Sequence, residues 1–147
     1  AANVYFKVGT DNGTKGLVVT FGSKNTTATL TGLRAYPNAT FTYTNPVRVR
    51  NNGTSNAQVR LAPSSNPSDA VAANFVYVKF LLNATAVGDR RWLNYTSNGV
   101  SWALPSASGW TTLPGSGTEW PIVIMTMANA TATAGNTVTI GITVDVD

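Results

Sequence analysis

Acid–base chemistry near neutral pH would have to come from six carboxylates: Asp11, Asp69, Asp89, Glu119, Asp145 and Asp147. The chain has no His and no Cys. That removes the usual general base, the commonest metal ligand, and all thiol or disulfide chemistry. Glycoside hydrolysis needs two carboxyl groups facing each other across a sugar at a set separation. Asp11 and Asp69 fall in loop-like stretches, and Asp145 and Asp147 alternate at the end of a strand pattern. Only Asp89 and Glu119, each flanking a strand, could form such a pair. Asp145 and Asp147 could touch a calcium ion, but no loop of alternating oxygen ligands accompanies them. The acids therefore read as solvated side chains, and the expectation is a non-enzymatic protein with no catalytic, metal or cofactor site.

A second chemistry is written more densely. Asn-x-Thr, the acceptor for N-glycosylation, occurs at Asn12, Asn25, Asn38, Asn52, Asn83, Asn94 and Asn129. Fifteen Asn and 22 Thr in 147 residues would produce about two such triplets by chance. The competing explanation is that Asn and Thr are simply abundant in turns and on strand faces. Seven occurrences favour covalent N-glycans and an extracellular or cell-surface setting. The opening Ala1-Ala2 in place of Met leads to the same expectation, a chain secreted after removal of a signal peptide. Glycans would also offset a charged content of only 11%, against ~25% in ordinary soluble proteins.

The net charge of +4 comes from ten basic and six acidic residues, and the basic ones are scattered. The nearest thing to a patch, "VRVRNNG" with Arg60, reads as the solvated edge of a strand, so nucleic acid is not an expected partner. No stretch of about 20 apolar residues is present, so no membrane span is expected. Trp92, Trp102, Trp110 and Trp120 lie in the second half of the chain. They read as core or loop anchors, as a contact between subunits, or as stacking platforms for a saccharide.

The elements that must position these residues are nearly all strands. β-Branched and aromatic segments cover 16–21, 27–33, 39–50, 57–62, 74–82, 90–96, 99–104, 120–127 and 136–147, separated by Gly, Pro, Asn and Ser turns. Asn98-Gly99 in "YTSNGVSW" suits a two-residue hairpin turn. Helix is confined to one short turn within 67–75, capped by Ser68. With no linker and no internal repeat, the pattern predicts one all-β domain, a two-sheet antiparallel sandwich of the jelly-roll kind.

The first ten residues stand apart. Ala2, Val4, Phe6 and Val8 alternate with Asn3, Tyr5 and Lys7, the period of a strand with one apolar face, and "TDNGTKG" follows at once. Such a strand either pairs within its own sheet or leaves it to fill a groove in a neighbour. In the second case the contact is head-to-tail and propagates into a filament of identical subunits. The groove is expected to receive Phe6 deepest, among residues of 75–82 and 138–146.

Taken together, the terminal strand, "GLVVTFG", "TNPVRVRNNGTSNAQVRL" and the closing "AGNTVTIGITVDVD" resemble the TasA-type family of biofilm-matrix fibre proteins and archaeal bundling-pilus subunits. Val47 to Leu61, V-x-V-x-N-x-G-T-x-x-A-x-V-x-L, is the most specific stretch. The resemblance implies a jelly roll polymerised by a protruding N-terminal donor strand, with residues 1–10 as donor, 11–16 as hinge and 17–147 as the jelly-roll domain. It implies an extracellular pilus or filament serving surface adhesion or a biofilm, with the sequon density and the absence of His and Cys closer to the archaeal members. The competing class is a secreted carbohydrate-binding or cell-wall module whose exposed Trp residues contact sugar.

Overall fold

The computed structural model describes residues 3–11, 16–133 and 135–147; Ala2 and Asn12 lie outside them. Among the described residues eleven strands are formed: β1 (Val4–Val8), β2 (Val18–Phe21), β3 (Thr27–Ala35), β4 (Phe41–Asn51), β5 (Ala57–Ser65), β6 (Phe75–Leu82), β7 (Arg91–Ser97), β8 (Trp102–Ala103), β9 (Thr111–Leu113), β10 (Thr118–Ala128) and β11 (Asn136–Val146). They assemble into two antiparallel sheets, one ordered β1-β4-β10-β6-β7-β8 and the other β2-β3-β11-β5-β9. The chain crosses between sheets from β1 to β2, at each step from β3 through β6, and at each step from β8 through β11.

Period-two patterning explains the layering. Along β11, Val138, Ile140, Ile142 and Val144 are buried while Thr137 and Thr139 face out. Along β10, Trp120, Ile122, Ile124, Thr126 and Ala128 point into the sandwich. The two inner faces meet in one apolar core that includes Leu30, Leu33, Tyr43, Val47, Val49, Phe80, Leu93 and Tyr95. Pro46 falls beside the register break of β10 against β4, a place where a strand tolerates a missing N–H.

Local expectations held with differences of detail. Ser68 caps the 3-10 turn Asp69–Asn74, its side chain accepting from the Ala70 N–H. The β7–β8 connection takes four residues, 98–101, in place of two, because Ser97 is the partner of Trp102. There the Asn98 Oδ1 accepts the N–H groups of Val100 and Ser101. β9 was not anticipated: "TTL" is too short for its alternation to stand out.

The N-terminal strand does not protrude. It lies at the edge of the six-stranded sheet of its own chain, antiparallel to β4, with Val4 opposite Asn51, Phe6 opposite Val49 and Val8 opposite Val47. The physical reason is the apolar face itself: an edge of β4 with unpaired backbone groups and a gap above the core is filled by the strand that fits it.

Candidate functional site

The most elaborated polar and apolar contacts gather where β1 meets the rest of the chain. On the inner face, Phe6 is fully buried and Val4 nearly so, whereas Val8, at the rim, remains 45% exposed. The Phe6 ring stacks on Phe21 of β2 at 6.5 Å between centroids and 11° between planes. β1 also packs against β11 and the 3-10 turn Ser23–Asn25. The expectation that β6 lines the Phe6 pocket is corrected, since β4 and β10 stand between β1 and β6; Phe21 takes that place. Burial of Val4 and Phe6 contributes about 3–6 kcal/mol at ~1.5–3 each.

Docking extends beyond the strand at both ends. Asn52 N–H donates to the Asn3 carbonyl (2.8 Å), and Gly9 N–H to that of Pro46 (3.1 Å). Since antiparallel pairs alternate, Val4–Asn51, Phe6–Val49 and Val8–Val47 are the non-hydrogen-bonded pairs, with closely spaced Cα atoms. Gly9 passes so near β4 that a Cβ there would collide with the Asn45 carbonyl. Asp11, which the sequence placed in the hinge, is fixed to β4: its N–H donates to Asn45 O (2.9 Å). Its carboxylate accepts from Thr44 N–H (3.0 Å), Thr44 Oγ1 (2.9 Å) and Asn45 N–H (2.9 Å).

The outer face of β1, β4 and β10 carries a charge cluster. Lys7 Nζ lies 3.2 Å from Glu119 Oε2, Arg48 Nη1 lies 3.0 Å from Oε1, and Arg50 donates to Oε2. Hydrogen bonds from Arg48, then Arg50, then Lys7 hold the Glu119 carboxyl down to about 2. The basic residues that looked scattered converge here because alternation puts Lys7, Arg48 and Arg50 on one face. Glu119 is thus a permanent anion at neutral pH and a tie between β1 and β10 across β4, unlike the raised-pKa acid of a glycosidase pair. Asp89 ends a separate 3-10 turn, Val87–Asp89. Asp145 pairs with Arg60 (3.0 Å), and Asp69 accepts the Trp102 N–H (3.0 Å).

The tryptophans divide. Trp102 and Trp120 are buried, Trp102 against Phe75 and with its indole N–H on the Ser68 carbonyl. Trp92 stands on the outer face of the six-stranded sheet, 44% exposed. Trp110 lies under the Arg60 guanidinium, 4.4 Å from the ring centroid, and lines a cleft of about 670 Å³ with Lys24, Arg60, Thr143 and Asp145. Among the sequon residues described, Asn25, Asn38, Asn52 and Asn94 are exposed, and Asn83 and Asn129 are half-buried. Asn25 and Asn38 have positive φ (56° and 59°), a conformation Asn tolerates. Backbone need therefore accounts for Asn at those two positions, but not for the Thr two residues later.

No helix among the described residues is long and apolar enough to cross a membrane. The chain matches no protein-family model and no curated protein sequence.

Proposed function

We propose that this chain is the structural subunit of an extracellular, N-glycosylated filament, and that it polymerises by passing β1 from its own β4 to the β4 of a neighbouring copy. One observation carries the reading: Phe6, on an edge strand, is a fully buried part of the core. A strand that contributes core side chains yet is held in its sheet by β4 alone among the described residues is an element readily exchanged between identical chains, as in domain swapping. The isolated chain closes its own groove; in a chain of copies the same contacts are made in trans, head to tail. The alternation of β3 to β6 between sheets supports the jelly-roll form of the sandwich. The exposed sequons at Asn25, Asn38, Asn52 and Asn94 support the glycan coat.

The competing saccharide-binding reading draws on the Trp110 cleft. The two exposed Trp residues do not form a shared platform for it, because Trp92 belongs to the six-stranded sheet and Trp110 stacks on Arg60 of the other. Negative-stain microscopy of native material separates the readings. Filaments of indefinite length are expected, lost on Phe6→Asp, which buries an unpaired charge, and kept on Trp110→Ala. A wild-type protein that stays monomeric at every concentration, or Phe6→Asp filaments identical to wild type, would refute donor-strand assembly.

A further inference from the structure

We infer that Asp11, with Gly9, is the specificity-determining end of the docking strand, selecting the direction and register in which β1 is accepted on β4. The inference rests on the assembly reading above where the acceptor is a second copy, and on the described contacts alone where it is the chain's own β4.

The apolar face cannot choose direction by itself. Its inward residues, Val4, Phe6 and Val8, read Val–Phe–Val from either end, so a strand laid parallel to β4 would offer the same side chains with Phe6 still central. An edge strand accepts backbone partners of either orientation. A slip by one residue is excluded, since it turns the apolar side chains outward, but reversal is not. The outer face discriminates weakly too. Reversal exchanges the places of Tyr5 and Lys7, which stand opposite Arg50 and Arg48, and Arg50 itself contacts Glu119, so a lysine there stays beside the same carboxylate.

The segment after β1 has no such symmetry. One oxygen of Asp11 collects three donors from Thr44 and Asn45, the Asp11 N–H donates back to Asn45 O, and Asn45 Nδ2 donates to Thr10 Oγ1 (3.0 Å). Asn45 is in turn held by Arg48 Nε on its Oδ1 (3.1 Å). Gly9 lets the incoming backbone lie against the Asn45 carbonyl, where a Cβ would collide. A reversed strand brings Asn3 to the place of Gly9 and leaves the two backbone N–H groups of Thr44 and Asn45 without their carboxylate. The recognised segment is therefore Asn3–Asp11, anchored by a carboxylate three residues beyond the last strand residue.

The test has two arms. Fluorescent peptides spanning residues 1–11 are offered to the full-length chain: the native peptide, its Asp11→Asn form, and the same residues in reverse order. The native peptide is expected to exchange in with at least tenfold higher occupancy than the other two. Equal occupancy of all three overturns the inference. If no peptide displaces the resident strand, the second arm decides: amide exchange of β1 in full-length Asp11→Asn and Asp11→Ala, alongside nuclear Overhauser contacts between the Hα atoms of Val8–Val47 and Phe6–Val49. Loss of β1 protection by tenfold or more, or a second set of contacts, is the expected result; wild-type protection with the native set alone overturns it. Wild-type chains that fail to form filaments would sink the assembly reading while leaving both arms decisive. Asp11 variants that polymerise at the wild-type rate in the native register would sink this inference alone.

Discussion

At the scale of single residues, the chain departs most from its sequence impression at Glu119. It looks like one of six dispersed acids, yet it takes up Lys7, Arg48 and Arg50 at once. Its carboxyl is held at about 2, below the ordinary value of 4.5. The stabilisation it provides is therefore complete above the unfolded value and is lost as pH falls through about 4.5 towards 2. Because Lys7 is 48% exposed, salt screens its share of the cluster. Protection of the β1 amides, taken relative to their intrinsic exchange at each pH, should fall across that pH window ahead of β6 and β10, and Glu119→Gln should remove the pH dependence by imposing the weakened state at pH 7. A pH profile for β1 identical in wild type and Glu119→Gln would show that the cluster does not tie β1 down. The same convergence explains why charge was hard to read in one dimension. Lys7 and Glu119 are 112 positions apart, and nothing local marks them as partners.

Among the elements, the long strands were legible because alternation persists: β10 and β11 each run for eleven residues, long enough for apolar period two to stand clear of chance. What eluded the sequence has specific causes. β9, three residues long, has no room for a pattern. The β7–β8 turn was misjudged because Asn98-Gly99 suits a tight turn locally, whereas the pairing of Ser97 with Trp102 lengthens it. Phe21 was not foreseen under Phe6, since cross-sheet neighbours depend on strand order, which periodicity does not encode. The docking strand was recognised as an element, but the anchoring of Asp11 beyond it was not foreseen, because Asp11 resembles any turn acid until Thr44 and Asn45 are brought to it. Gly9 supplies the element-scale prediction. With its Cβ position blocked by the Asn45 carbonyl, Gly9→Ala forces the backbones apart, an overpacking cost of about 1–3 kcal/mol. β1 amides should lose protection selectively while β3 and β11 keep theirs, as read by hydrogen exchange; uniform protection across all strands would contradict a tight approach at Gly9.

For the whole molecule, the proposed assembly makes the two-sheet sandwich the acceptor and its own edge strand β1 the donor. A chain closed on itself is satisfied as a monomer, so assembly requires β1 to leave one groove before entering another, which makes slow, seeded growth the expected kinetics. The central claim is that β1 sits on a neighbour's β4 in assembled material, and the absence of Cys allows a direct test. Val8 and Val47 form a non-hydrogen-bonded pair with Cα atoms about 4.5 Å apart, within the range a disulfide spans. The double variant Val8→Cys, Val47→Cys is assembled under reducing conditions, oxidised, and run on a denaturing gel without reductant. Exchange of β1 predicts a ladder of covalently linked oligomers that collapses to monomer on reduction. Filaments that yield only internally bridged monomers would contradict it.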